Sequence, residues 1–398
     1  MPAAPPLPFE LIELIISGLT DQKDILRCAL ISKVWLAPCR AHHVLSTIRA
    51  PNTDTRFSAL RTIVSSPHCS LHLTRVREIE IQGELTPALG RFVSILEGSE
   101  GSRRKSESAS IEWNIFLRHL ECLSVKSVLF PAVAGKHVIG HFARTRRFNT
   151  LITPPFHFVH TLCLNRVSFA LPAQFAEFLS SFTRLETLIC DRLNVTFTPF
   201  APAVDLTRQL CLRTLHLTGF SSLVSLWDCN LYCPNLREFK FRDDDELEIG
   251  SVLRCLSCFL ESSRRIRSFD LSLNGFHLSD PPTSFDLSTI LPRLTELSLD
   301  ADIEQILAIL IMFTKPRRTL RYARFQIHGY PSLNQWTILQ SLLRINAPRL
   351  EMVEAAFMDP VCDPDDETEI WDQVINGLSW YASRGLLKVI FSGLHGYK

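Results

Sequence analysis

The stretch CPNLREFKF, residues 233–241, contains the pattern that decides the fold. Leu236, Phe239 and Phe241 fill the first, fourth and sixth places of an apolar-x-x-apolar-x-apolar phrase, and the alternation at its end is typical of a strand with one buried face. The same phrase recurs at intervals of mostly about 24 to 30 residues, a period that indicates a repeat architecture. It begins at Val76, Leu120, Val159, Leu185, Leu212, Leu236, Ile266, Leu294, Leu320, Leu350 and Leu386.

Segments with helical periodicity lie between several of these phrases, for example at residues 172–182, 249–263, 303–313 and 369–383. A strand followed by a helix, repeated, predicts a parallel sheet with right-handed crossovers and an α/β fold class. CPNLREFKF is similar to the leucine-rich repeats that accompany F-boxes. The resemblance implies a solenoid over residues 51–398, with a curved parallel sheet inside and helices outside. A doubly wound enzyme domain is the structural rival, but it would not produce eleven matching phrases.

The third, fifth and seventh residues of each phrase should point from the sheet to solvent, where a ligand would be recognised. Charges of both signs alternate among them, which favours a protein epitope over a phosphate backbone. The predicted target-binding residues are Thr214, His216, Glu238, Lys240, Arg242, Asp270, Glu296, Asp300, Tyr322 and Arg324.

The N-terminal segment, residues 5–50, has a different pattern. Pro8 suits the first turn of a helix, and apolar residues then recur at three- and four-residue intervals up to a break at Gly18. A second amphipathic helix is expected from about Asp24, as its cap, to Trp35. Domains of this size rarely bury enough surface to be stable alone, so we expect a protein partner to cover part of this one.

This segment resembles an F-box, and it is similar to the F-box-like segments abundant in mushroom-type fungi. The resemblance covers about a tenth of the chain, and Ile31 stands where the family often has valine. The residues that carry it are Leu7-Pro8, Glu10, Leu11, Ile15, Leu19, Asp24, Cys28-Ala29-Leu30, Ser32-Lys33, Trp35 and Arg40.

In the F-box family this domain docks onto the Skp-type adaptor of a cullin–RING ubiquitin ligase. The resemblance therefore implies that the chain selects substrates for such a ligase and performs no chemistry itself. A helical hairpin packed on the following domain, in a repeat scaffold without a ubiquitination role, is the alternative. The residues implied in adaptor binding are Leu7, Pro8, Leu11, Ile12, Ile15, Leu30, Ser32 and Trp35.

Charge and hydropathy exclude several other classes of function. Forty-two basic and 41 acidic residues leave a net charge of +1, so no overall field attracts nucleic acid or an anionic membrane. The start of the chain lacks the features of a secretory signal, and the apolar run at residues 306–313 is too short to span a bilayer. We expect a cytoplasmic or nuclear protein with neither a membrane nor a nucleic-acid partner.

Other motifs are weaker. Cys229, Cys233, Cys255 and Cys258 have zinc-like spacing, but Cys255 and Cys258 fit the buried side of a helix, so neither metal nor cofactor is expected. His157 and His160 have no nucleophile or carboxylate in a catalytic pattern beside them, which disfavours an enzyme. Residues 97–110, rich in Ser, Gly and charge, predict a flexible insertion, and the basic residues 103–105 within it could be a nuclear import signal.

Overall fold

The computed structural model describes residues 7–19, 22–31, 34–35, 38–39, 47–49, 55, 78–82, 121–127, 129–130, 159–172, 175, 178–179, 182–196, 211–228, 233–243, 252, 255–256, 260–261, 263–273, 286–357 and 364–391. The chain forms two compact units, Met1–Leu162 and Cys163–Lys398. The predicted boundary after residue 50 falls within the first unit. The predicted insertion at 97–110 and its basic residues lie outside the described residues.

The first unit contains two helices and four strands with defined bounds, and residues 34–35, 38–39 and 55 are also helical. Strands β1, β2 and β3 form a parallel array in that order. The sequence pattern did not predict β1 or β4. The elements are α1 (Phe9–Ser17), α2 (Gln22–Ala29), β1 (Thr47–Arg49), β2 (Glu78–Gln82), β3 (Cys122–Lys126) and β4 (Leu129–Phe130).

The two helices start at positions that differ from the prediction. Pro8 precedes α1, where its carbonyl accepts hydrogen bonds from the amides of Leu11 and Ile12, instead of occupying the first turn. Asp24 lies inside the first turn of α2 and forms an ion pair with Arg27 at 2.8 Å, so it does not cap the helix. An acidic residue is favourable there because the helix dipole is positive at its N-terminus.

The second unit is built from strands and helices in alternation. Its strands are β5 (Thr161–Asn165), which begins at the unit boundary, β6 (Ser168–Phe169), β7 (Thr187–Asp191), β8 (Asn194–Val195), β9 (Thr214–Thr218), β10 (Glu238–Asp243), β11 (Ser268–Leu273), β12 (Glu296–Asp302), β13 (Tyr322–His328), β14 (Met352–Phe357) and β15 (Leu387–Phe391). Its helices are α3 (Phe220–Asp228), α4 (Leu287–Ile290), α5 (Ile303–Ile311), α6 (Leu333–Asn346), α7 (Pro364–Gly377) and α8 (Ser379–Ala382).

All eleven predicted phrases form strands, which confirms the α/β class and the repeat-like parallel sheet. In the second unit, β7 and β9 to β15 lie side by side in chain order, and each pair of neighbours is parallel. Equivalent positions align: Phe239 pairs with Leu215 on one side and Phe269 on the other. The last phrase is shifted by two residues, since Val353 pairs with Leu387. A two-residue shift leaves every side chain on its predicted face.

The core of the second unit lies between the apolar face of the sheet and the helices. The first, fourth and sixth residues of the phrases from β7 to β14 are buried, as predicted. Trp336 of α6 contacts Phe357 of β14 with ring centroids 6.0 Å apart, and α5, α6 and α7 pack against one another in succession. The predicted helical segment at 172–182 is helical at residues 172, 175 and 178–179 but not at Phe182, and the one at 249–263 is helical at residues 252, 255–256 and 260–261 but not at Ser263. The helices therefore leave the other face of the sheet uncovered by described elements.

Buried polar side chains join neighbouring repeats. Ser222 and Ser225 of α3 accept hydrogen bonds from the amides of Leu193 and Val195, at 2.8 and 3.0 Å. Asn346 at the end of α6 donates to the carbonyl of Leu310 at 2.8 Å. A buried backbone group without a partner costs free energy, so these side chains stabilise the turns between repeats.

Candidate protein-binding surfaces

Helix α1 presents apolar side chains to solvent beside a small core. Ile12 and Ile16 are buried with Ile25 and Cys39. Leu11, Leu14 and Ile15 follow at the spacing that places residues on one helical face, yet all three are exposed. We call Leu11, Leu14 and Ile15 the α1 stripe. Exposed aliphatic groups so arranged mark a surface suited to contact with another protein.

The residues implied in adaptor binding fall into three groups. Leu7, Pro8, Leu11, Ile15 and Leu30 are exposed, whereas Ser32 lies outside the described residues. Ile12 is buried and Trp35 packs on the small core, so these two would support the surface instead of forming it. The sequence interpretation missed four exposed apolar residues in the same segment, Phe9, Leu14, Ile31 and Val34. Their exposure could not be read from helical periodicity, which marks an apolar face but not what covers it.

The predicted target-binding residues all lie on the sheet face opposite the helices, where the parallel register arranges them in rows. Thr214 is aligned with Glu238, and Glu296 with Tyr322. His216, Lys240 and Asp270 follow one another in a second row, which also contains Arg324. Arg242 and Asp300 belong to a third row. In the described strands these residues therefore share one face.

A carboxylate on β10 contacts a lysine and a histidine of this face. Oε1 of Glu238 lies 3.3 Å from Nζ of Lys240 and 3.3 Å from Nε2 of His216. Burial alone would raise the pKa of Glu238, but the hydrogen bonds from His216 and Lys240 outweigh it and hold the pKa below its ordinary value. Glu238 is therefore ionised near neutral pH, and Lys240 is balanced by an anion of its own.

Asp300 differs from the prediction because it is buried and not available to a partner. Its Oδ2 accepts a hydrogen bond from Ser272 at 2.9 Å, and its Oδ1 lies 2.8 Å from Nε2 of His328. Side chains on β11 and β13 thus enclose the aspartate on β12 from both sides. Outward direction alone does not make a short side chain accessible when side chains on both neighbouring strands cover it.

Glu354, on β14, is a second buried carboxylate that the sequence interpretation did not select. Its Oε1 lies 2.9 Å from Nε of Arg324, and its Oε2 accepts hydrogen bonds from the Tyr322 hydroxyl and from Lys388, each at 2.9 Å. Burial and the contact with Glu354 raise the pKa of Tyr322, so that its hydroxyl remains a donor at neutral pH. We call Arg324, Glu354 and Lys388 the C-terminal triad.

The first unit contains a similar arrangement. Glu80 of β2 is buried and forms ion pairs with Arg49 of β1 at 3.5 Å and with Lys126 of β3 at 3.2 Å. A short carboxylate enclosed by longer cations on adjacent strands is thus present in both units. Such faces offer charged groups of both signs, which can donate and accept hydrogen bonds in a protein interface.

The cysteine motif lies only partly within the described residues. Cys233 and Cys255 are buried, and burial raises the pKa of the Cys233 thiol to about 12, whereas Cys229 and Cys258 lie outside the described residues. No group of three His, Cys, Asp or Glu side chains suited to a metal ion occurs in the described part of the chain. Among the described helices, none has both the length and the apolar character needed to cross a membrane.

No known protein family model matches the chain, and no curated protein matches it. Among solved structures, the chain is similar to the crystal structure of the Rad7 and Elc1 complex in yeast, with 13% sequence identity and a TM-score of 0.27. That match covers 89% of this chain and 91% of the other. A TM-score this low does not establish a shared fold.

Proposed function

We propose that this chain is the substrate-recognition subunit of a Skp–cullin–F-box ubiquitin ligase. The N-terminal helices bind a Skp-type adaptor, and the uncovered face of the repeat sheet binds a target protein. The observation that carries the proposal is the α1 stripe, because three aliphatic side chains remain exposed in the segment that resembles an F-box.

The energetics of the segment favour a partner. Each exposed aliphatic side chain returns about 1.5 to 3 kcal/mol when it is fully buried. Leu30, Ile31 and Val34 add further exposed apolar surface beyond α2. A stable complex therefore needs no chemistry from this chain, only a complementary apolar groove on the adaptor.

The mechanism is proximity. A receptor that holds a target beside a ligase-bound ubiquitin donor converts a bimolecular encounter into a local one, which raises the effective concentration of the reacting groups. The chain itself supplies no catalytic group in this proposal, and it acts in the cytoplasm or the nucleus. A repeat scaffold without a ubiquitination role is the alternative, and the same surfaces would serve it.

Co-purification with the cognate Skp-type adaptor tests the proposal. The intact chain is compared with the double variant Pro8→Ala, Ile15→Asp, which places a charge in the α1 stripe. Ile338→Asp is the matched control, because Ile338 also lies on a helix and is 41% exposed, against 44% for Ile15. Circular dichroism and thermal unfolding establish that each variant is folded.

We expect the intact chain and the Ile338→Asp control to retain the adaptor, and the double variant to lose it. If the folded intact chain does not bind the adaptor, the F-box assignment is wrong. Adaptor binding without recruitment of the cullin–RING subunits would instead favour the scaffold.

A further inference from the structure

The C-terminal triad lies at one end of the uncovered sheet face of the second unit. Arg324, Glu354 and Lys388 are aligned in register on β13, β14 and β15. The side chain of Glu354 is 6% exposed, whereas those of Arg324 and Lys388 are 42% and 55% exposed. The anion thus forms the floor of the site, and two cations form its accessible layer.

The two cations retain donors for a partner. Lysine has three N–H donors and the guanidinium has five. Lys388 donates one hydrogen bond to Glu354, whereas Nε of Arg324 lies at ion-pair distance from that carboxylate without a hydrogen bond. Glu354 is the one carboxylate within ion-pair distance of either cation among the described residues. One negative charge therefore faces two positive charges, and the triad has one cation in excess.

This excess is local. On β9 to β12 the outward carboxylates Glu238, Asp270, Glu296 and Asp300 outnumber the outward cations Lys240 and Arg242. The residues beside the triad are also less polar than those on β9 to β12. The half-buried Tyr322 and the exposed Met352 lie in the adjacent row. Arginine, tyrosine and methionine are enriched in the centres of protein interfaces.

We propose that Arg324 and Lys388 form the docking point for an acidic segment of the target protein, with the segment's carboxylates bound between the two cations. The identification of the bound protein as a ligase target rests on the proposed function. The binding of an acidic peptide does not, since it is a property of this face alone.

Glu354 makes the site rigid before the partner arrives. Burial would raise the pKa of Glu354, but hydrogen bonds from Lys388 and Tyr322 outweigh burial and lower it. The carboxylate is therefore ionised near neutral pH and holds both cations in place. Long side chains that are already ordered lose less entropy on binding, so a partner carboxylate is bound more tightly.

The test uses the full chain and a fluorescently labelled hexaglutamate peptide, with binding followed by fluorescence anisotropy. A hexaglutamine peptide of the same length measures binding that does not depend on charge. The variants are Arg324→Gln with Lys388→Gln, and Lys388→Gln alone, which leaves Glu354 its contact with Arg324 and is expected to fold normally. Lys240→Gln is the matched control, because Lys240 is 43% exposed but has Glu238 as its own partner.

We expect saturable binding of hexaglutamate that weakens with added salt. The double variant should bind about tenfold more weakly or worse, the single variant should change in the same direction, and Lys240→Gln should stay within about twofold of the native chain. Absence of hexaglutamate binding, or an equal loss in Lys240→Gln, would overturn the inference. Equally tight binding of a single-stranded oligonucleotide, lost in the same double variant, would also overturn it.

The adaptor experiment separates the two proposals. If the folded chain binds the adaptor but not hexaglutamate, only the acidic docking point is wrong. If it binds hexaglutamate through Arg324 and Lys388 but not the adaptor, only the ligase assignment is wrong.

Discussion

Nζ of Lys388 lies 2.9 Å from Oε2 of Glu354, and the same carboxylate oxygen accepts the hydroxyl of Tyr322. A single buried acid thereby connects three adjacent strands, β13, β14 and β15. Because the strands come from three successive repeats, this contact stabilises the end of the sheet as well as the site proposed above it.

Replacing Glu354 with alanine should therefore lower the free energy of unfolding. We expect a loss of about 1 to 3 kcal/mol, because hydrogen bonds to a charged group disappear and two cations lose their partner. Urea unfolding followed by circular dichroism measures the change. Glu351→Ala is the control, since Glu351 pairs with Arg321 but is exposed, and such a pair contributes at most about 1 kcal/mol. Equal effects of the two substitutions would contradict a special role for Glu354.

Asp270 should make stability depend on pH in a defined direction. Burial raises the pKa of Asp270, the nearby Asp300 raises it further, and Ser298 and Lys240 oppose them incompletely. The folded pKa is above the unfolded pKa, so the ionised form costs stability at neutral pH, and the cost disappears as the pH falls through the folded pKa.

Asp270→Asn should consequently be more stable than the native chain near neutral pH. The gain should shrink between neutral pH and an acidic pH below the raised pKa of Asp270, where the carboxyl is protonated in the native chain as well. Urea midpoints at the two pH values measure the effect, and Glu296→Gln, at an exposed position on the neighbouring strand, is the control. A loss of stability in Asp270→Asn at neutral pH would show that the contact with Ser298 outweighs the cost of burial.

Gly377→Ala should destabilise the packing of α7 on α6. A Cβ at residue 377 would overlap Cβ of Trp336, whose side chain is fully buried. The backbone of one helix must therefore move, at a cost of about 1 to 3 kcal/mol. Thermal unfolding measures the loss. Asp372→Ala, at an exposed position of the same helix, should change stability by less than about 0.5 kcal/mol. If Gly377→Ala leaves the thermal stability unchanged, the two helices accommodate the added Cβ without cost, which would contradict the prediction.

Much of the fold could be predicted because each repeat carries its own local signal. The apolar phrase that places Leu236, Phe239 and Phe241 in the core recurs in every predicted strand. Each copy can be recognised from its local sequence, without reference to the others. β1, β4, β6 and β8 were missed because two or three residues are too few to show a pattern. The two-residue shift of β15 was missed because register depends on the neighbouring strand and not on the phrase itself.

The candidate sites were predictable only in part. The side on which Tyr322 and Arg324 lie follows from the alternation of a strand, whereas the burial of Asp300 follows from Ser272 and His328 on neighbouring strands. Each of those residues lies 28 positions away along the chain. The contact between Glu354 and Lys388 likewise joins neighbouring strands, and these two residues lie 34 positions apart along the chain.

Local periodicity was enough to predict the repeat, the strands that carry the apolar phrase, the face of each of their side chains and the apolar character of the N-terminal helices. Only the folded chain shows which charges meet, which carboxylates are buried and which apolar groups of α1 remain exposed. These properties depend on contacts between residues from different repeats or helices, and the distances that set their energies exist only once the chain is folded.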